Sequence, residues 1–224
     1  ANGAGLDTVR AWLSYSLPEG VEILRLAGNE DLDGTGAAGD EQLFGNVGNN
    51  RLDGGAGSDR LIGIGGDDRL VFDVADSLVD GGLGEDTLVV ATPGVVDLTA
   101  QPVGAVANIE MLALANGGVD HILLDAAHIA AMSDARGTLR ITGDAGDLVS
   151  VAGGWAQRVS VTVDGVEYAR YSRGAATLLV APQVNVDLSV TSIELAALSA
   201  SQGFHLQDVR SGLLGLTLAA AGDV

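Results

Sequence analysis

Side chains that carry oxygen atoms recur every nine residues in the first half of this sequence. They stand at the sixth position of successive nonapeptides and read Glu41, Asn50, Asp59, Asp68, Ser77 and Asp86. Carboxylate and amide oxygens are hard ligands, of the kind that Ca²⁺ takes from proteins. If the fold brings successive repeats together, this spacing predicts a row of divalent metal sites.

The nonapeptide itself contains the elements that would position these ligands. A weaker copy and four intact copies start at Gly36, Gly45, Gly54, Gly63 and Gly81. The glycine-rich half predicts a turn, and the second half predicts a short strand with one inward aliphatic side chain at the eighth position. Those aliphatic residues are Leu43, Leu52, Leu61, Leu70, Val79 and Leu88. A flexible glycine-rich linker would have no reason to keep them.

We predict an all-β fold in which residues 36–92 form a parallel β-roll, or β-helix solenoid, with calcium-binding turns. Two nonapeptides would complete one turn, so that loops eighteen residues apart stack on the same edge, with neighbouring strands about 4.8 Å apart. The loops that start at 45, 63 and 81 would share one edge. Those that start at 36, 54 and 72 would share the other.

Stacked loops would bring like charges close together. Two carboxylates at roughly 5 Å repel each other by about 3 kcal/mol at an effective dielectric of about 20, and a cation between them reverses the sign. We therefore expect a Ca²⁺ ion at each of the pairs Asn50/Asp68, Asp68/Asp86 and, more weakly, Glu41/Asp59. Backbone carbonyl groups at the first and third positions would complete the coordination shells: those of Gly45, Val47, Gly54, Ala56, Gly63, Gly65, Gly81 and Leu83.

Two of the copies, GGAGSDRLI from Gly54 and GGLGEDTLV from Gly81, match the consensus GGxGxDxUx. In this region the chain resembles the RTX, or repeats-in-toxin, family. The resemblance implies Ca²⁺ as the cofactor, export by type I secretion, an extracellular or cell-surface location in bacteria, and folding on meeting calcium outside the cell. Asn50 and Ser77 depart from the consensus aspartate. Because Ser77 brings no charge, we expect the edge of loops 36, 54 and 72 to end there.

Residues 1–35 are expected to form a β-structured N-terminal flank, since apolar residues alternate on both sides of a turn at Pro18 to Gly20. An alternative for the end of this flank is an EF-hand loop. Its ligand positions would be Asn29, Asp31, Asp33, Gly34 and Asp40, with aspartate in place of the final glutamate. Asp31 and Asp33 are therefore secondary candidates for metal binding.

From residue 93 to about 190 the nonapeptide gives way to short apolar segments, which predict further β-strands in a solenoid or a sandwich. One helix is expected at about 126–133, capped by Asp125, and Asp164-Gly165 predicts a hairpin turn. In GDAGD, Asp144 and Asp147 would bind a further cation or, as we favour, stabilise a turn. The order of these segments resembles a structural block found beside RTX repeats in large bacterial adhesins.

The last segment, residues 191–224, resembles the opening of an FG-GAP repeat, the blade unit of integrin-type β-propellers. Its final AGDV would normally continue into an acidic calcium loop, but the sequence stops at Val224. We therefore expect this sequence to be a piece of a larger polypeptide.

The composition narrows the class of function. The chain has 224 residues and a net charge of -19, with no lysine and no cysteine. Such a surface repels nucleic acid and anionic membranes, and disulfides and thiolate metal sites are excluded. No uninterrupted apolar run has the length of a membrane span.

A catalytic role is not expected. His121, His128 and His205 stand far apart and outside any zinc-protease or nucleophile motif. The favoured function is a calcium-rigidified structural or adhesive module, whose partners would be cell-surface or matrix ligands or neighbouring domains. The alternatives are an accessory module of a secreted protease, lipase or epimerase, and a surface-layer or filament subunit.

Overall fold

The computed structural model of the chain describes residues 5–114, 116–133 and 137–188, which lie in one compact unit. The predicted FG-GAP-like segment at 191–224 and His205 lie outside the described residues.

Ten short strands occupy residues 8–90. They are β1 (Thr8–Ala11), β2 (Tyr15–Ser16), β3 (Ile23–Leu26), β4 (Asp33–Thr35), β5 (Gln42–Phe44), β6 (Arg51–Asp53), β7 (Arg60–Ile62), β8 (Arg69–Phe72), β9 (Leu78–Asp80) and β10 (Thr87–Val90). Odd-numbered strands pair in parallel in a first sheet, and even-numbered strands do so in a second sheet. Leu43 pairs with Leu61 and Leu52 with Leu70. The predicted stacking of residues eighteen apart is confirmed.

The inward aliphatic side chains form the core between these two sheets. Each has no exposed surface, as predicted: Leu43, Leu52, Leu61, Leu70, Val79 and Leu88. One coil earlier, Gly34 takes the place of the aliphatic residue, because a Cβ there would press against the side chains of Leu24 and Leu52.

Ten more strands follow. They are β11 (Val95–Asp97), β12 (Val106–Ala107), β13 (Met111–Ala113), β14 (His121–Asp125), β15 (Thr138–Thr142), β16 (Leu148–Ala152), β17 (Ala156–Val163), β18 (Val166–Arg173), β19 (Ala176–Val180) and β20 (Asn185–Asp187). A 3-10 helix spans Leu98–Ala100, and the helix α1 spans Ala126–Met132. The predicted all-β class with one short α-helix is confirmed for the described residues.

Parallel stacking continues beyond the repeats. The second sheet runs on from β10 through β13, β15 and β19, and β12 joins β9 at the end of the first sheet. A third parallel sheet has the order β11-β14-β16-β20. One hydrophobic core extends from Ala11 to Val184.

The helix and the hairpin form where the sequence predicts them, and for the predicted local reasons. The Asp125 side chain accepts the N–H groups of Ala127 and His128 and so caps α1. Strands β17 and β18 form an antiparallel hairpin whose turn residues, Asp164 and Gly165, have φ values of 50° and 80°. Aspartate and glycine adopt this left-handed conformation most readily, which is why the turn forms there.

Candidate metal centre

The loops between the first two sheets carry the sixth-position side chains inward. Asp59, Asp68 and Asp86 have no exposed surface, and Glu41 and Asn50 are almost as deeply buried. Buried carboxylates are rare in proteins unless they are paired or coordinate a cation. The two edges therefore carry side chains whose burial needs a specific explanation.

One carboxylate oxygen of each aspartate bonds to the backbone of the loop one coil earlier. Oδ1 of Asp59 accepts the N–H of Glu41 at 2.8 Å, and Oδ1 of Asp68 accepts the N–H of Asn50 at 2.7 Å. The row continues to a residue that the repeat spacing did not predict, since the N–H of Asp86 donates to Oε2 of Glu110 at 2.8 Å. Nothing in the nonapeptide frame points to Glu110, because the coil that leads to it is longer.

The other carboxylate oxygen has no partner. Among the buried side-chain oxygen and nitrogen atoms in the described part of the chain, three lack a hydrogen bond. They are the Oδ2 atoms of Asp59, Asp68 and Asp86. A buried polar atom without a partner costs about 1–3 kcal/mol, and more when it is charged. A cation bound to this oxygen would remove the cost.

The first glycine of each loop makes room beside that oxygen. A Cβ at Gly54 or Gly63 would collide with Oδ2 of Asp59 or Asp68, respectively. At Gly63 the same Cβ would also collide with the carbonyl oxygen of Gly81, one coil further on. Carboxylate and carbonyl oxygens thus converge on a space that only glycine leaves open, and this donor set suits Ca²⁺.

Burial and neighbouring charges disfavour ionisation of these carboxyls in the absence of a cation. Burial raises the pKa of Asp68 to about 7, and the nearby Asp86 and Asp67 add to the rise. Burial likewise raises the pKa of Asp86 to about 6, with a contribution from Glu110. A divalent cation would favour the charged forms and reverse these shifts.

Backbone carbonyl groups would have to supply much of any coordination shell, since no group of three His, Asp or Glu side chains converges in the described residues. The first-position carbonyl oxygens of Gly54, Gly63 and Gly81 face the first glycine of the loop one coil earlier. At the third position, Gly65 and Leu83 form a parallel bridge, and Ala56 donates its N–H to the carbonyl of Ala37. The ligand roles of these groups, and those of Gly45 and Val47, stay predictions.

The assignment of Ser77 to the inward position at the end of the second edge was wrong. Ser77 is exposed, and Asp76 takes the inward place. Its Oδ1 accepts the N–H of Asp59 at 3.3 Å, and its Oδ2 accepts the N–H of Asp73 at 2.9 Å. The turn from Asp73 to Asp76 is one residue tighter than the turn from Asn46 to Asn50, so the inward carboxylate lies one position earlier in the loop. The pairing of Leu61 with Val79 shows that the loop as a whole keeps its length.

The EF-hand alternative was also wrong. Asp33 lies in strand β4, and in the described residues the α-helix lies far along the chain at Ala126–Met132. Oδ1 of Asp31 accepts the N–H of Asn49 at 2.8 Å, and Oδ1 of Asp33 accepts the N–H of Arg51 at 3.2 Å. Both side chains therefore bond to the backbone one coil later instead of converging on one point.

Asp31 begins a second row of side chains, at the fifth position of the repeats, which the sixth-position pattern did not predict. Asn49 accepts the N–H of Asp67 at 2.7 Å, and Asp67 accepts the N–H of Glu85 at 2.9 Å. This exposed row joins each loop to the following one, whereas the buried sixth-position row joins each loop to the preceding one. The only sequence signal is the recurrence of acidic or amide residues at that position.

Asp144 and Asp147 form a turn. The N–H of Asp144 donates to Oδ2 of Asp147 at 2.6 Å, and Oδ1 of Asp147 accepts the N–H of Asp120 at 2.9 Å. Asp144 in turn accepts the N–H of Gly117 at 2.8 Å. These contacts agree with the favoured interpretation of GDAGD as a turn stabilised by aspartate side chains.

The two described histidines lie apart from each other and from the carboxylate rows. Nε2 of His121 lies 2.8 Å from Oγ of Ser150. The His128 ring lies between Oδ1 of Asp125, at 2.8 Å, and the carbonyl oxygen of Gln101, at 3.0 Å. These contacts tie β14 to β16 and fix α1 against the 3-10 segment, so both histidines have structural partners.

In the described part of the chain, no helix combines the length and the apolar character that crossing a membrane requires.

Residues 35–70 match the family described as RTX calcium-binding nonapeptide repeat, in four copies. No curated protein and no solved structure matches the chain. Repeats of this family are typical of secreted bacterial proteins and are structural calcium-binding units. The loops between residues 35 and 70 are thus similar to RTX calcium-binding repeats, which makes Ca²⁺ the cation implied for their buried carboxylates.

Proposed function

We propose that residues 36–92 form a calcium-binding β-roll that stiffens a large extracellular bacterial protein exported by type I secretion. The single observation that carries this proposal is the set of buried, unpartnered Oδ2 atoms on Asp59, Asp68 and Asp86. Each lies beside a first-position glycine, where a Cβ would collide with it. A chain that folded without a cation would have no reason to bury three carboxylate oxygens in this way.

In this proposal each unpartnered oxygen marks one ion between two stacked loops. The loop pairs are those that start at 36 and 54, at 45 and 63, and at 63 and 81. Carbonyl groups of the same loops complete each shell, since Ca²⁺ takes six to eight oxygen ligands with variable geometry. Mg²⁺ demands a stricter octahedron and is expected to bind more weakly.

We further propose a structural and adhesive role for the whole segment. One hydrophobic core joins the repeat coils to the later coils, so calcium bound in residues 36–92 would stiffen a continuous body. The net charge of -19 would keep the chain soluble and would oppose its folding until cations neutralise part of the charge. Contacts with cell-surface or matrix ligands would then be made by this body or by neighbouring domains.

Calorimetric titration and circular dichroism of the whole chain test this proposal. Calcium should bind and should increase the β-sheet signal of a chelator-treated sample, because metal-coupled sites contribute their binding energy to folding. Magnesium at the same concentration should do much less. A chain that binds no calcium, or that has the same spectrum and melting temperature in calcium and in chelator, would overturn the proposal.

A further inference from the structure

We propose that the backbone conformation of the second residue in each loop decides whether the sixth-position carboxylate of that loop binds calcium. This inference rests on the proposed calcium function and deepens it, because it separates binding loops from loops of similar composition that need no metal.

The loops with an unpartnered carboxylate oxygen share one backbone feature. Their second residues all lie in the left-handed region: Gly55 has a φ of 91°, Ile64 of 83° and Gly82 of 99°. In none of them does the second residue donate its N–H to the sixth-position carboxylate. The N–H of Gly55, for example, donates to Oδ1 of Asp53 instead. A left-handed second residue therefore leaves Oδ2 without a donor from its own loop.

In other loops, a donor from the same loop hydrogen-bonds to the buried sixth-position side chain or to its equivalent. Asp73 donates its N–H to Asp76 at 2.9 Å, and Asp144 does the same for Asp147 at 2.6 Å. The equivalent bonds elsewhere run from Ala37 N–H to Glu41, from Asn46 N–H to Asn50 and from the Asn116 side-chain amide to Asp120. Among the described residues, none of these donor residues has a positive φ.

The two kinds of loop solve the same electrostatic problem in different ways. Asp86 and Asp147 are both fully buried, and Oδ1 of each accepts an N–H from one coil earlier, at 2.8 and 2.9 Å. They differ at Oδ2, which lacks a partner in Asp86 and accepts the N–H of Asp144 in Asp147. A backbone N–H and a cation both stabilise a carboxylate, so the loop that supplies the N–H does not need the cation.

Ile64 supports this assignment independently. A β-branched residue in the left-handed region is a conformational outlier, and the conformation is strained. The Ile64 side chain is 43% exposed, so burial does not explain its conformation. The strain is explained if the calcium loop requires this conformation whatever the residue. Ile64 is then a positioning residue for the site of Asp68.

The test is the calcium stoichiometry of the whole chain, measured by titration calorimetry and by equilibrium dialysis. The wild type should bind one ion for each of the three unpartnered oxygens. The matched variants are Asp86→Asn, which should lose one ion, and Asp147→Asn, which should lower the melting temperature but keep every ion. Loss of an ion in Asp147→Asn, or retention of all ions in Asp86→Asn, would overturn the inference.

A second pair of variants keeps the test decisive if Asp86→Asn fails to fold. Proline fixes φ near −65°, so Ile64→Pro should remove one ion, whereas Ile64→Gly should retain all of them. Unchanged stoichiometry in Ile64→Pro contradicts the inference while leaving the proposed function intact. A wild-type chain that binds no calcium contradicts the proposed function itself.

Discussion

The backbone N–H of Asp68 donates to Oδ1 of Asp86, eighteen residues further along the chain, at 2.8 Å. In both Asp68 and Asp86, the Oδ2 atom of the carboxylate is buried and has no hydrogen-bond partner. Each aspartate therefore ties two coils together through one oxygen, and in the proposed function the other oxygen binds a cation. Loss of one such residue should affect both the backbone contact and the metal site.

Acid should stabilise the chain when calcium is absent. Burial raises the pKa of Asp68 to about 7 and that of Asp86 to about 6, above the value of about 3.9 for an unfolded aspartate. The folded state thus binds more protons than the unfolded state. Its stability is full below about pH 4 and falls as the pH rises to about 7, by up to ~1.4 kcal/mol per pH unit for each group. Urea midpoints in chelator should be higher at about pH 5 than at about pH 7.5.

Saturating calcium should reverse this pH dependence. Protons and calcium compete for the same carboxylate oxygens, so acid should release the ions and lower the stability of the loaded chain. The same urea titrations in excess calcium provide the comparison. A loaded chain that also becomes more stable towards pH 5 would contradict the assignment of these carboxylates to the metal sites.

Asp68→Ala should be strongly destabilising in calcium. The change leaves the buried N–H of Asn50 without an acceptor and removes a metal ligand, with an expected loss of about 2–4 kcal/mol. Thermal melts in calcium and in chelator should show a larger loss in calcium. The control is Asp144→Ala, which keeps the backbone N–H that holds Asp147 and should cost less than ~1 kcal/mol. Equal losses in the two variants would contradict the prediction.

Leu61→Ala should destabilise the chain by about 2–5 kcal/mol, because it opens a cavity in the row of inward aliphatic side chains. Urea denaturation in saturating calcium measures the free energy of unfolding. Val103→Ala is the control, since this side chain is exposed in a turn outside the repeats, and it should stay within about 0.5 kcal/mol of the wild type. A small effect of Leu61→Ala would indicate that the core is loosely packed.

Ile64→Gly should raise the melting temperature in saturating calcium. Glycine relieves left-handed strain of roughly 1–2 kcal/mol and costs about 0.5–1 kcal/mol in backbone entropy, so a small net gain is expected. Val103 is exposed and has no positive φ, so Val103→Gly has no such strain to relieve and should lower the melting temperature. The prediction fails if Ile64→Gly is the less stable of the two glycine variants.

The stacking of the repeat coils could be predicted from the sequence because a fixed period determines which residues lie over each other. Once glycine turns and one inward aliphatic side chain recur every nine residues, Leu43 must lie over Leu61 and Leu52 over Leu70. The positions of Asp59, Asp68 and Asp86 inside the loops are set by the same period.

Asp76 could not be predicted in this way. The frame places Ser77 at the sixth position, but the N–H of Asp73 bonds to Asp76 in a turn one residue tighter than the turn from Asn46 to Asn50, while the strand register stays at eighteen residues. Such a shift depends on the competition between two local turn geometries. Sequence spacing alone does not decide that competition.

The third sheet could not be predicted either. Val95 pairs with His121, His121 with Leu148, and Leu148 with Asn185, so successive coils differ in length. Without a fixed period, the short apolar segments fit a sandwich as well as a stack of parallel strands. The donor that satisfies each buried aspartate, such as Asn116 for Asp120, is likewise visible only in three dimensions.

Because successive nonapeptides alternate between two sheets, an even or odd number of repeats decides which sheet the following strand joins. Deleting one nonapeptide would move the later strands of these two sheets from one sheet to the other. Strand β13, for example, would have to join the sheet that now contains β12. Deleting or duplicating two adjacent nonapeptides would leave the downstream attachment unchanged. Gene duplication could therefore lengthen the protein without disturbing its later coils only by adding repeats in even numbers.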